Sequence, residues 1–144
     1  MRRMLALAAF SALALSAGAV LAQDPISARE PTMKNIGRAF GAINRMNRGQ
    51  DSFDAAKATE AFHTISANAK TFSTLFPDSA KTGDKNARPE IWTQKTDFDA
   101  RVKKLAADAE AAATATAKGE ADFKTSFAAV QPQCGGCHQV YRNE

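Results

Sequence analysis

Cys134-Gly135-Gly136-Cys137-His138 holds both cysteines of the 144-residue chain and one of its two histidines. Two thiols three positions apart, followed at once by an imidazole, have the spacing needed to add across the two vinyl groups of a haem and to offer a nitrogen to its iron from the same side. Three other uses of the thiols are weighed against this. A redox dithiol belongs in a strand–helix–strand setting, which the chain does not show, and a structural disulfide suits an oxidising compartment. A zinc site calls for four ligands in paired spacing, whereas the remaining histidine, His63, stands alone. The motif therefore points to one covalently bound haem c, with thioethers at Cys134 and Cys137 and His138 as axial iron ligand.

The elements that must carry these residues are helical. Met33, Ile36, Phe40 and Ile43 recur at steps of three or four, as do Phe62, Ile65, Ala69, Phe72 and Phe76. Ile91, Phe98, Val102, Leu105, Ala109 and Ala112 form a third apolar stripe, and Phe123, Phe127, Val130, Cys134, Cys137 and Tyr141 a fourth. Each is one face of an amphipathic helix. Gly49 closes the first, Asp51 or Ser52 caps the second, Pro77 ends it, Pro89 opens the third, and Lys118-Gly119-Glu120 breaks the chain before the fourth. Short connections make neighbours antiparallel, so the expected fold is all-α, an up-down-up-down four-helix bundle, with one long loop from Pro77 to Pro89. Pro132, Gly135 and Gly136 are poor helix formers within a stripe that continues past them, a conflict expected where a functional site lies.

Residues 1–22 resemble a secretory signal: Arg2 and Arg3 precede the apolar run Leu5 to Ala17, and Val20-Leu21-Ala22 supplies permissive residues before a cleavage at Gln23. The run is shorter than the roughly 20 residues of a membrane span. The expected mature unit is a single domain, residues 23–144, in the periplasm and without a membrane span. Within it Leu, Ile, Val and Phe number 18 of 122, about 15%, below the ~20% under which chains tend towards disorder, while 23 alanines favour helix. Seventeen basic against fifteen acidic residues leave too little excess for a coulombic nucleic-acid binder. A thin core without a large net charge suggests that something besides side chains fills the middle.

In an up-down-up-down bundle the end of the fourth helix lies beside the start of the first. A ligand opposite His138 is then expected in the first turns of helix one, where Met33 sits on the stripe. Met46 lies 13 residues on, about 20 Å along the helix axis and towards the other end. A thioether opposite the imidazole gives six-coordinate iron with a raised potential. The alternative reading makes Met33 a gap-filling core residue beside open iron, and His63, beside its stripe, a surface histidine.

With its haem motif at the C-terminal end of an exported four-helix chain, the sequence resembles the class II cytochromes c, the cytochrome c′ and cytochrome c556 family. The resemblance spans essentially the mature chain. It rests on Cys134 to Arg142, with an aromatic and a basic residue three and four positions after His138. It rests also on Arg29-Glu-Pro-Thr-Met33-Lys34, on Arg48-Gly49-Gln50 with Phe53-Asp54-Ala55-Ala56, and on Arg88-Pro89-Glu90-Ile91-Trp92. High-spin members of the family commonly hold a leucine or another bulky apolar residue at the position of Met33; low-spin members use a methionine as sixth ligand. The resemblance thus implies the c556 type. It also implies that Arg29 and Arg142 are cations near the haem propionates or the proximal pocket, and that Phe76 and Trp92 pack against haem or close the bundle.

The expected function is that of a non-enzymatic periplasmic electron carrier serving redox protein partners. Two rivals are a five-coordinate cytochrome c′ that binds nitric oxide or other small gases, and a helical binding module with a disulfide. The resemblance implies that dimers packed through helices one and two are common in the high-spin branch; here Arg38, Arg45 and Arg48 make helix one basic away from its stripe, so a monomer is preferred over a homodimer.

Overall fold

The computed structural model describes residues 24–143; the signal segment expected at 1–22 and its cleavage before Gln23 lie outside the described residues. The first helix, α1, runs Pro25–Asn47. It starts earlier than its apolar stripe because Asp24 caps it, the carboxylate accepting from the Ser27 amide at 2.9 Å, and because Pro25 stands in the first turn, where a missing amide costs nothing. Gly49 takes a positive φ of 69° just past its end, as a left-handed helix stop requires.

The second helix, α2, spans Ala55–Phe72. Its cap is Asp54, which accepts from the Lys57 amide at 3.0 Å, and not Asp51 or Ser52 as the sequence suggests. Asp51 instead pairs with Arg45 near the end of α1, at 2.8 Å. Pro77 does not end α2 either: the helix stops at Phe72 and Pro77 precedes a 3₁₀ turn, Asp78–Ala80. The expected third helix is divided. A single turn, α3 (Glu90–Thr93), is separated from α4 (Lys95–Thr116) by Gln94, whose φ and ψ of −120° and 39° leave the helical region. The turn belongs with the preceding loop, to which the Trp92 indole N–H donates at the Pro77 carbonyl, 3.4 Å away. Gly119, at φ 142°, makes the last break in a region that favours glycine, and α5 follows from Glu120 to Tyr141. It continues through Pro132, Gly135 and Gly136.

The four long helices form a closed antiparallel ring in which α1 packs on α2, α2 on α4, α4 on α5, and α5 back on α1 through a much smaller contact. Buried alanines face one another where α2 meets α4: Ala58, Ala61 and Ala69 on one side, Ala106, Ala109, Ala112 and Ala113 on the other. Small side chains permit the close helix approach seen there. Aromatic rings supply the bulk at the two ends. At one end the rings of Phe53, Phe62 and Phe127 lie 5.3–6.2 Å from that of Phe123, and Phe40 stacks on Phe127. At the other Phe72, Phe76, Trp92, Phe98 and Tyr141 form a second cluster. Among the described residues no helix is long and apolar enough to cross a membrane.

Phe123 is fully buried at the centre of the first cluster. Phe123→Ala is expected to lower stability by about 3–5 kcal/mol, read as a fall in the urea midpoint at unchanged slope. A loss below about 1 kcal/mol would show that the cluster rearranges around the gap.

Candidate haem site

Between the start of α1, the end of α5 and the loop before α3 lies a cavity of about 760 Å³, within the range of cofactor pockets. Its wall includes Met33 from α1 and Cys137, His138 and Tyr141 from α5. Phe72, Phe76, Ile91 and Phe98 give it an apolar lining, and the exposed cations Lys34, Lys85 and Arg142 stand on its rim. Met33 thus shares a cavity with His138, while Met46 is buried in the core and does not line this wall. Cys134 lies one turn before Cys137 on the same helix, half-buried.

Helical backbone through this stretch sets the chemistry of the motif. Residues at i, i+3 and i+4 share a face, so the two thiols and the imidazole project to one side of α5. Both cysteines are free thiols. Burial pushes their pKa values up, so they rest as protonated thiols. Burial pulls His138 below the usual imidazole range, with the positive charge of Arg142 adding to the effect. A neutral imidazole is the form that ligates a metal. Among the described residues no three His, Cys, Asp or Glu side chains are grouped as ligands of a single ion. Cys137 and His138 on the wall of an apolar slot, Cys134 one turn back on the same helical face and outside the lining, and cations at the rim fit a haem better than a bare metal ion.

Arg29 is 4% exposed and is committed to the loop. It donates from Nε to the Leu75 carbonyl at 3.0 Å, from Nη2 to the Ala80 carbonyl at 2.8 Å and from Nη1 to Asp84 at 3.2 Å. Its guanidinium also lies 4.2 Å from the centre of the Phe76 ring and 5.5 Å from that of Trp92. Arg29 therefore fastens the cavity's loop wall to α1 one turn from Met33. Arg142 stands at the other edge, in extended backbone that pairs with Ala87 as an isolated bridge. The Arg88 amide donates to the Tyr141 carbonyl and the Asn143 amide to that of Asn86, so the loop is tied to the end of α5 as well. His63 is exposed on α2 and pairs with Glu110 across to α4, at 3.3 Å.

Two residues that sequence reasoning passes over stand behind the motif. Asp97 on α4 accepts from the Tyr141 hydroxyl at 2.5 Å and from Arg101 Nε at 2.6 Å. Arg101 Nη1 reaches the Gly136 carbonyl at 3.1 Å. The i, i+4 spacing of Asp97 and Arg101 marks an ion pair in the sequence; nothing local there marks its partners on α5.

The family model described as Cytochrome C' matches residues 24–142. The chain is 41% identical over 128 residues to a cytochrome c-556 of Agrobacterium fabrum, covering 89% of this chain and 87% of that one. It is 38% identical over 130 residues to a cytochrome c′ of Rhodopseudomonas palustris, covering 89% and 88%. The solved cytochrome c′ from Rhodopseudomonas palustris superposes with a TM-score of 0.79 at 35% identity, covering 85% of this chain and 98% of the other.

Two outcomes follow from the contacts above. Tyr141 is the only tyrosine; burial and the Asp97 carboxylate push its pKa up to about 12. A phenol whose pKa is raised by folding stabilises the fold fully below its unfolded pKa near 10 and loses that contribution as pH rises through its folded value. Alkaline titration of phenolate absorbance is expected to show a midpoint near 12 that moves down in Tyr141's neighbour variant Asp97→Asn; a midpoint near 10 in the unsubstituted protein would contradict the contact. Arg29→Lys cannot reproduce three bonds set in a planar fork. It is expected to cost about 2–4 kcal/mol and to speed amide exchange in the loop between residues 75 and 87; unchanged exchange there would exclude the clasp.

Proposed function

The chain belongs to the cytochrome c′ family, whose cofactor is a covalently bound haem c, and we propose that within it this protein is a periplasmic electron carrier of the low-spin type. Cys134 and Cys137 would hold the haem as thioethers, and His138 and Met33 would be its two iron ligands. The haem supplies a one-electron iron couple. The observation that carries the reading is the single cavity wall shared by Met33, Cys137 and His138.

The chain's own residues then have distinct tasks. His138 is kept neutral by burial and offers its nitrogen without first shedding a proton. A methionine thioether is a soft ligand that favours ferrous iron and raises the potential. Phe72, Phe76 and Phe98 exclude water from the slot, which makes charges in it interact more strongly. Arg29 holds the loop wall in place, while Arg142 and Lys85 are the rim cations suited to pairing with the haem propionates. Electron exchange with a protein partner is the activity this set suits. Export across the inner membrane, with the mature chain beginning at Gln23, completes the reading, and the mature chain acts as a monomer.

Ferric and ferrous absorption spectra test the ligand pair. Ferric protein is expected to show the far-red methionine-to-iron band and a low-spin pattern. Met33→Ala is expected to turn the spectrum high-spin with the haem still attached. A ferric high-spin spectrum in the unsubstituted protein, shifting with nitric oxide but not with larger ligands, would move the protein to the gas-binding reading. A Met33→Ala spectrum identical to the parent would show that another group, or none, occupies the sixth position.

A further inference from the structure

The haem-bearing end of α5 is buttressed from one side by α4 through a set of polar contacts. Gln133 Nε2 donates to Asp108 at 2.5 Å, Arg101 Nη1 to the Gly136 carbonyl at 3.1 Å, and the Tyr141 hydroxyl to Asp97 at 2.5 Å. Arg101 and Asp97 are themselves joined at 2.6 Å, and the guanidinium lies 5.9 Å from the centre of the Tyr141 ring. Gly136 immediately precedes Cys137, and Tyr141 lies one turn beyond His138, so the pair grips the Cys137–His138 turn from both sides. The Tyr141 ring is edge-on to Phe98 at 5.1 Å, which carries the grip to the apolar wall of the cavity.

We propose that Asp97 and Arg101 are positioning residues of the haem centre, fixing the Cys137–His138 turn through Gly136 and Tyr141 and setting opposed charges behind it that bias the iron's reduction potential. The inference rests on the haem reading but not on the identity of the sixth ligand. Ferric iron carries one more positive charge than ferrous iron, so a nearby guanidinium favours the ferrous state and a nearby carboxylate the ferric state. Arg101 touches the motif backbone directly, whereas Asp97 touches it through the Tyr141 hydroxyl. Both side chains are close to half exposed, at 42% and 49%. Solvent and salt therefore screen them, and the bias is modest and ionic-strength dependent.

Opposite signs separate this role from a merely structural brace. The measurement is spectroelectrochemical titration of the haem-loaded protein and its Arg101→Gln, Asp97→Asn and doubly substituted variants. At a fixed ambient potential the ferrous-to-ferric ratio is expected to fall about two- to fivefold in Arg101→Gln and to rise by a similar factor in Asp97→Asn, where tenfold corresponds to about 59 mV for one electron. The double variant returns towards the parent, and all shifts shrink at high salt. Arg101→Lys keeps the charge without the fork and is expected to retain most of the parent potential. Should Arg101→Gln fail to fold, the near-isosteric Asp97→Asn and the conservative Arg101→Lys decide the matter. Ratios that move the same way in both single variants, or an Asp97→Asn ratio within about 1.5-fold of the parent at low salt, would overturn the proposal. Absence of haem absorption bands from the unsubstituted protein would overturn the haem reading along with it.

Discussion

The site depends on one constraint: α5 has to stay helical from Pro132 to Tyr141. Only in that conformation do Cys134, Cys137 and His138 face the same way. The stretch is badly suited to it, because Pro132 lacks an amide donor and each glycine costs about 1 kcal/mol relative to alanine. Helicity there is imposed from outside. Gln133, Gly136 and Tyr141 are each held by a side chain of α4. On the opposite side, the loop before α3 ties itself to the helix end through Arg88 and Asn143. A Cβ at Gly135 would meet nothing within 4 Å, so no close packing among the described residues calls for glycine at that position.

The same end of the bundle explains how a chain with so few large aliphatic residues holds together. Alanines bring α2 and α4 into close contact, and aromatic clusters cap the two ends of that seam. The price is borne at the α1–α5 seam, where the helices touch least and the cavity opens. Arg29 compensates by turning loop carbonyls, which would otherwise lie buried without donors, into partners of one guanidinium. Its neighbour on the same face of α1 is Met33, so the residue that fastens the loop also stiffens the turn carrying the candidate sixth ligand.

Much of the fold is legible in the sequence because its signals are local. Four stripes at steps of three and four residues, the Gly119 break and the paired cysteines with their histidine all read without knowledge of any distant contact. What escapes is what depends on residues far apart in the chain. The interruption at Gln94 arises where the turn around Trp92 is tied to Pro77 and belongs to the loop and not to α4. Arg29 reads as a cation on the face of Met33, but its acceptors lie 46 to 55 residues away. Asp97 and Arg101 read as an ordinary surface pair, since Tyr141 and Gly136 are 44 and 35 residues from them.

The central claim is that α5 presents Cys134, Cys137 and His138 as a unit to one haem. Its most direct test is the intact mass of the chain purified from a host able to attach haem, followed by peptide mapping around residues 134–138. The account predicts one haem per chain, carried by the peptide that contains both cysteines, with neither thiol open to alkylation. A chain of unmodified mass whose two cysteines alkylate, or are joined to each other as a disulfide, would contradict it.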